Sequence, residues 1–301
     1  METIEKPVWF VLLLVIVGGF AGLLMGQAIG IGLASLIYSG DILSAMLNPV
    51  DENLRVPLLI MQATTSLGGF LIAPYFIWNA MRKKGLAYFN LKALNIAFIL
   101  LIFGIVFSFV VVDSIIIEWN QNIHFPDFLK SFEEWARAKE DQLADLTKML
   151  TNFRSTTEFA IAFLVVAIFA GVCEEFFFRG IIQTELFKRT NNIHVAIWAS
   201  AFLFSAIHAQ FFGFVPRMLL GGLFGYLYFW SGNLLVPMVA HIFNNGFSLV
   251  MIYLYQLKVI QTDFDSPEAA PMSLIIPSLA IAIALLYFFK KRFSPSNTSI
   301  S

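Results

Sequence analysis

The sequence predicts an all-α, polytopic membrane helix bundle with about eight transmembrane helices. Of its 301 residues, 58% are hydrophobic and only 13% charged, against roughly 25% charged in a soluble domain. The apolar residues gather into runs near the ~20-residue length that carries a helix across the hydrocarbon core. The basic residues gather between those runs, in clusters that fall on one side of the membrane when eight runs are counted.

The first run, Trp9 to Tyr38, holds Gly18, Gly22, Gly26 and Gly30. Glycines at spacing four let a neighbouring helix approach closely. The run is too long for a signal-peptide core and lacks a cleavage-like end, so it is expected as a retained membrane helix. The second run is Leu54 to Asn79, with a kink expected at Pro74, and the third is Leu94 to Ile117. A polar insert, 118–155, comes next. In it Phe128, Phe132, Trp135, Leu143 and Leu146 recur near helical spacing among charges. That pattern predicts one or two amphipathic helices outside the membrane, capping the bundle, with a substrate-binding lid as the alternative. The fourth run, Thr157 to Phe178, ends in a glutamate motif. Val195 to Phe212, the short Met218 to Trp230, Leu235 to Tyr255 and Met272 to Phe289 complete the eight, ahead of a polar tail at Ser294 to Thr298. The expected division is thus N-terminal membrane helices at 1–117, the insert, a helix core at 156–255, and a last helix with its tail at 256–301.

Loop charges predict the orientation. Arg82-Lys83-Lys84, Lys188-Arg189 and Lys290-Lys291-Arg292 share one side, which is expected to be the cytoplasm together with both termini. Asp41, Asp51, Glu52, Asp263, Asp265 and Glu268 lie on the other, along with the insert. Glu174, Glu175 and Arg179 then fall at the cytoplasmic end of the fourth helix. A net charge of -1 and the absence of a long basic tract speak against a nucleic-acid partner. Cys173 is the single cysteine, so the chain has neither an internal disulfide nor a cysteine-based zinc site.

Ionisable groups next to hydrocarbon are costly and point to a partner or a task. Glu174 and Glu175 are adjacent, so on a helix they point about 100° apart. Glu175 and Arg179 are four residues apart on one face and can pair. That leaves Glu174 as the candidate general base, since desolvation raises a carboxylate toward neutral pH. His208 closes another apolar run, where a histidine bonded to a carbonyl is the plainer explanation. His241 and Asn245 share a helix face, and both side chains can donate hydrogen bonds to one point, as an oxyanion requires. His124 and His194 are expected to be solvated. Asp113 and Glu158 are expected at helix ends, Arg217 as an interfacial anchor, and Cys173 as a small buried residue.

The set Glu174-Glu175-x-x-x-Arg179, Phe204-x-x-x-His208 and His241-x-x-x-Asn245 resembles the CPBP family, the type II CAAX prenyl endopeptidases with the bacteriocin-processing and immunity proteins. The resemblance covers about Thr157 to Tyr255. It implies a glutamate-dependent intramembrane protease in which Glu174 and His208 activate a water and His241 and Asn245 form the oxyanion hole. Glu175 and Arg179 would orient the site, and no metal or other cofactor would be needed. The implied substrate is a membrane protein or lipidated peptide, cut near the cytoplasmic face of a bacterial inner membrane. The residues themselves leave open a zinc site built from the same Glu and His set. A proton-coupled transporter and a non-catalytic immunity or secretion scaffold are the competing functions. Against the transporter, no inverted repeat and no paired broken helices are visible in the sequence.

Overall fold

A computed structural model describes residues 6–47, 51–262 and 268–293. Among these residues every regular element is helical. The main helices are α1 (Val8–Ile37), α2 (Glu52–Arg82), α3 (Ile96–Gln121), α4 (Lys130–Thr151), α5 (Thr156–Thr190), α6 (Ile193–Ala206), α7 (Phe214–Ser231), α8 (Leu235–Gln256) and α9 (Met272–Phe293). Asp263, Asp265, the tail Ser294 to Thr298 and the first five residues lie outside the described residues.

The chain is a multi-pass membrane protein with an all-α fold. Six helices, α1, α2, α3, α5, α8 and α9, are long and apolar enough to cross a membrane. The expected count of eight includes two that fall short of that standard. Helix α6 has 14 residues, and α7 has 18 with Pro216 and Arg217 in its first turn.

Helix α1 packs on α2 through one narrow seam, with Val11, Val15, Gly19, Gly22, Gly26, Gly30 and Ala34 buried along it. A Cβ on Gly22 would stand 2.2 Å from the Gly68 carbonyl oxygen, and one on Gly26 would stand 2.3 Å from that of Thr64. Only glycine admits that backbone approach. Helix α2 widens into a π-helical stretch at Leu67–Ile72, just before Pro74. A wide turn accommodates the missing proline N–H without breaking the helix.

The fourth predicted span was expected to end at Phe178. Instead α5 continues to Thr190, 35 residues in all. The continuation is held by Glu185, which is fully buried and bonds Trp78, Arg82 and Lys188. The glutamate motif therefore sits near the middle of α5, inward of the helix end where charge counting placed it. Two π-helical stretches, Phe163–Phe169 and Phe176–Gln183, flank it. Every residue of the second is buried, and Phe176, Phe177, Phe178, Ile181 and Ile182 form the centre of the main apolar cluster.

The insert holds one 22-residue helix, α4, after a short 3-10 turn at Asp127–Leu129. Glu133 fastens its start, accepting from the Phe125 backbone N–H at 2.8 Å and from Arg137 Nε at 2.9 Å. Those bonds, the Phe125 N–H foremost, hold the Glu133 carboxyl down at about 2. At the other end the Gln256 side chain donates to the Thr151 carbonyl at 2.6 Å and accepts from the Phe153 N–H at 3.2 Å. Asp113 is not at a helix end, because α3 runs on to Gln121 and buries it to 8% exposure. Glu158 is bound by the fully buried Arg55 and by Arg154. The two histidines expected to be solvated are both exposed, His124 meeting Glu133 Oε1 at 3.0 Å and His194 the Tyr226 hydroxyl at 2.6 Å.

Candidate active site

Helices α5, α7 and α8 meet at a buried polar cluster formed by Glu175, Arg179 and His241. From α5 come Glu174, Glu175 and Arg179. Glu175 and Arg179 are fully buried, and Arg179 Nη1 donates to Glu175 Oε1 at 2.7 Å. The same oxygen accepts from His241 Nδ1 of α8 at 2.8 Å. A carboxylate oxygen only accepts, so Nδ1 carries the hydrogen. His241 thus reaches back to the second glutamate of the motif. The i,i+4 spacing with Asn245 gave no sign of this.

Arg179 Nη2 and Gln183, one turn on, fix α7. Arg179 Nη2 donates to the Gly221 carbonyl at 2.9 Å, and Gln183 Nε2 to the Gly225 carbonyl at 3.1 Å. The guanidinium also lies over the Phe204 ring at 4.6 Å and the Phe224 ring at 5.6 Å. Aromatic faces attract a desolvated cation. The Phe224 ring stacks on His241 with centroids 5.3 Å apart, and Phe204 meets His241 edge-on at 5.8 Å.

His208 stands just past the end of α6. Its Nδ1 donates to the Phe204 carbonyl at 2.8 Å, which leaves Nε2 as an acceptor. Phe204 also touches the His208 ring at 5.3 Å, so one phenylalanine stands beside both histidines. Asn245 has a fixed amide orientation. Its Nδ2 donates to the Val166 carbonyl at 3.0 Å, and its Oδ1 accepts from Asn244 Nδ2 at 3.1 Å. A primary amide has two N–H donors, so one remains after the bond to Val166.

Glu174 lacks the two bonds that hold its neighbour. Its Oε2, like that of Glu175, is buried with no hydrogen-bond partner among the described residues. Its electrostatic neighbours are His241, Glu175, Arg179 and Arg217. Arg217, expected as an interfacial anchor, instead has its Nη1 buried and lies within electrostatic range of Glu174 and His208. Nothing in its spacing points there, because the approach depends on how α7 crosses α5. Cys173 is buried and free. Among the described residues, no group of three or more His, Cys, Asp or Glu side chains gathers into a set that could hold a metal ion.

Residues 156–247 match the family described as type II CAAX prenyl endopeptidase, Rce1-like. Curated relatives align over the same scale of length. The uncharacterized protein YpbD of Bacillus subtilis (strain 168) is 30% identical over 100 residues, which is 32% of this chain and 46% of that protein. The putative membrane peptidase YdiL of the same organism is 28% identical over 116 residues, covering 38% and 45%. The membrane-embedded CAAX protease MroQ of Staphylococcus aureus (strain USA300) is 33% identical over 91 residues, covering 28% and 36%. The chain spans less than half the length of each of these three. No solved structure gives a significant match. The matched segment runs from the start of α5 into α8 and contains Glu174, Glu175, Arg179, His208, His241 and Asn245, and over this segment the chain is similar to the CPBP family.

Proposed function

We propose that this protein is an intramembrane endopeptidase that hydrolyses a peptide bond of a membrane-associated or lipidated substrate. The observation that carries the reading is the unequal treatment of two adjacent carboxylates. Glu175 is tied to Arg179 and His241 through one oxygen, while neither bond reaches Glu174; the other oxygen of Glu175 and Oε2 of Glu174 are both buried without a hydrogen-bond partner among the described residues. In this reading Glu174 and the acceptor nitrogen of His208 hold a water and remove its proton as it attacks the scissile carbonyl. Nε2 of His241 and the second N–H of Asn245 donate to the oxyanion. An Nε2 donor requires protons on both ring nitrogens, and Glu175 is the counter-ion such a ring would meet. Arg179 holds Glu175 in place, and the aromatic walls exclude bulk water, which strengthens each of these interactions.

The cleaved bond would lie at the depth of the middle of α5. The host would be a bacterial inner membrane, with both termini and the Lys188 loop in the cytoplasm. Impermeant labelling of cysteines placed at Ser131 and Ser296 in intact cells tests the orientation, with label expected on Ser131→Cys alone.

Activity is tested in proteoliposomes carrying a membrane-anchored reporter peptide. Wild-type protein is expected to cut it, and Glu174→Gln to cut at least about 10²-fold more slowly with the fold intact. Cleavage by Glu174→Gln at the wild-type rate would remove this mechanism. Dialysis against a strong chelator is expected to leave the rate unchanged. Stoichiometric zinc that leaves together with the activity would replace the metal-free site with a metalloprotease.

A further inference from the structure

The loop that carries His208 is not an open turn. Helix α4 and the end of α3 grip it from outside. The Phe211 ring packs between Phe125 at 5.0 Å and Phe132 at 5.7 Å. The Arg137 guanidinium lies 4.2 Å over the Phe212 ring. The Val215 backbone N–H donates to Asn120 Oδ1 at 3.1 Å. In the middle of this grip runs a polar chain. Gln210 Nε2 donates to Glu140 Oε1 of α4 at 3.3 Å, and Gln210 Oε1 accepts from Arg217 Nη2 at 2.6 Å.

That chain ends at the site. Arg217 lies within electrostatic reach of Glu174 and of the His208 ring, as well as of Glu140. Its Nη1 is buried with no hydrogen-bond partner among the described residues, and so is Glu140 Oε2. Burial pushes the Glu140 carboxyl up, and the Phe212 backbone and the Arg217 cation pull it back. A guanidinium whose sole task was to neutralise Glu140 would bond it directly, in two-pronged geometry. Arg217 bonds the intervening Gln210 instead and keeps Nη1 without a hydrogen-bond partner among the described residues.

We propose that Arg217 is a positioning residue for the Glu174–His208 pair, and that α4 holds it in place through Glu140 and Gln210. The insert is then part of the hydrolytic apparatus, because its docking sets where the Arg217 cation stands relative to the general base. This rests on the endopeptidase reading above.

The test is steady-state kinetics with melting, on full-length protein in proteoliposomes with the reporter peptide. Arg217→Gln is expected to lower kcat about 10²-fold, the scale of a misplaced reacting group, with KM little changed. Arg217→Lys is expected to recover most of that loss. The double variant Glu140→Gln/Arg217→Gln separates positioning from plain neutralisation. It removes the charge that Arg217→Gln leaves unpaired, so melting is expected to recover while kcat stays low. Recovery of kcat along with melting would overturn the proposal, as would a wild-type kcat in Arg217→Gln. Failure of the underlying reading looks different: wild-type protein and Glu174→Gln then cut alike, or neither cuts, and the role of Arg217 falls with it. If Arg217→Gln does not fold, the double variant and Arg217→Lys decide the matter.

Discussion

Helix α5 buries carboxylates at two levels and treats them in opposite ways. At Glu185 both oxygens are used. Oε1 accepts from Trp78 at 3.1 Å, Arg82 at 3.0 Å and Lys188 at 3.0 Å, and Oε2 accepts from Arg82. At the motif one oxygen of Glu175 takes two partners, while the other, and Oε2 of Glu174, are buried without one among the described residues. A charge removed from water is tolerable when its lone pairs are filled, and expensive when they are not. The Glu185 level is therefore a fastening between α2 and α5. The Glu174 level keeps acceptor capacity for something that arrives.

The largest effect that can break this contrast is expected at Arg179. Arg179→Ala leaves Glu175 buried with His241 alone and should cost ~3–5 kcal/mol of stability. Arg82→Ala should cost less, because Lys188 and Trp78 still serve Glu185. Melting of both purified variants in detergent checks the order, and equal losses would erase the distinction between the two levels. Next in size is Asn245→Ala, expected to raise the barrier by roughly 2.7–4 kcal/mol, as for a lost oxyanion donor. Substrate affinity should barely move, since the bond strengthens only in the transition state. Single-turnover rates across a substrate titration read both quantities.

A paired exchange sharpens the comparison further. Glu174→Gln is expected to spare melting and remove activity, while Glu185→Gln should lower melting and leave the surviving protein active. The smallest effect lies outside the membrane. The folded Glu133 carboxyl is held at about 2, below its unfolded value. Its contribution is therefore present above the ordinary carboxylate range and lost as pH falls through that range toward about 2. Hydrogen-exchange protection at residues 123–137, taken relative to the intrinsic exchange rate at each pH, is expected to fall over that interval in the wild type and to stay constant there in Glu133→Gln.

Much of this architecture is legible along the chain, because a membrane makes polar residues conspicuous. Glu174, His208 and His241 stand out against apolar neighbours without any knowledge of the fold. The pairing of Glu175 with Arg179 follows from one helical turn. The bond from His241 to Glu175 joins residues 66 apart in the sequence, and no local period encodes it. The length of α5 was hidden for a related reason. Charges at Glu185 and Lys188 resemble a helix leaving the membrane, and only Arg82 and Trp78, from α2, show that Glu185 is sealed inside the protein. Arg217 was obscured by its position. An arginine beside the start of an apolar helix looks like an anchor until α4 is seen to occupy the solvent side.

The two bonds from α5 to α7 act as meshing teeth. Arg179 and Gln183 are four residues apart, and so are the carbonyls they hold, at Gly221 and Gly225. A single residue inserted into either interval can leave one tooth engaged but not both. Arg217 stands four residues ahead of Gly221 on the same helix, so it is indexed by the same gear. Lengthening α7 beyond Gly225 would leave the site in register. One added residue between Arg217 and Gly221 would swing the guanidinium about 100° around the axis and move it ~1.5 Å along it. Length changes in this protein should therefore be tolerated at the far end of α7 and forbidden across the one turn that carries Arg217 to its mark.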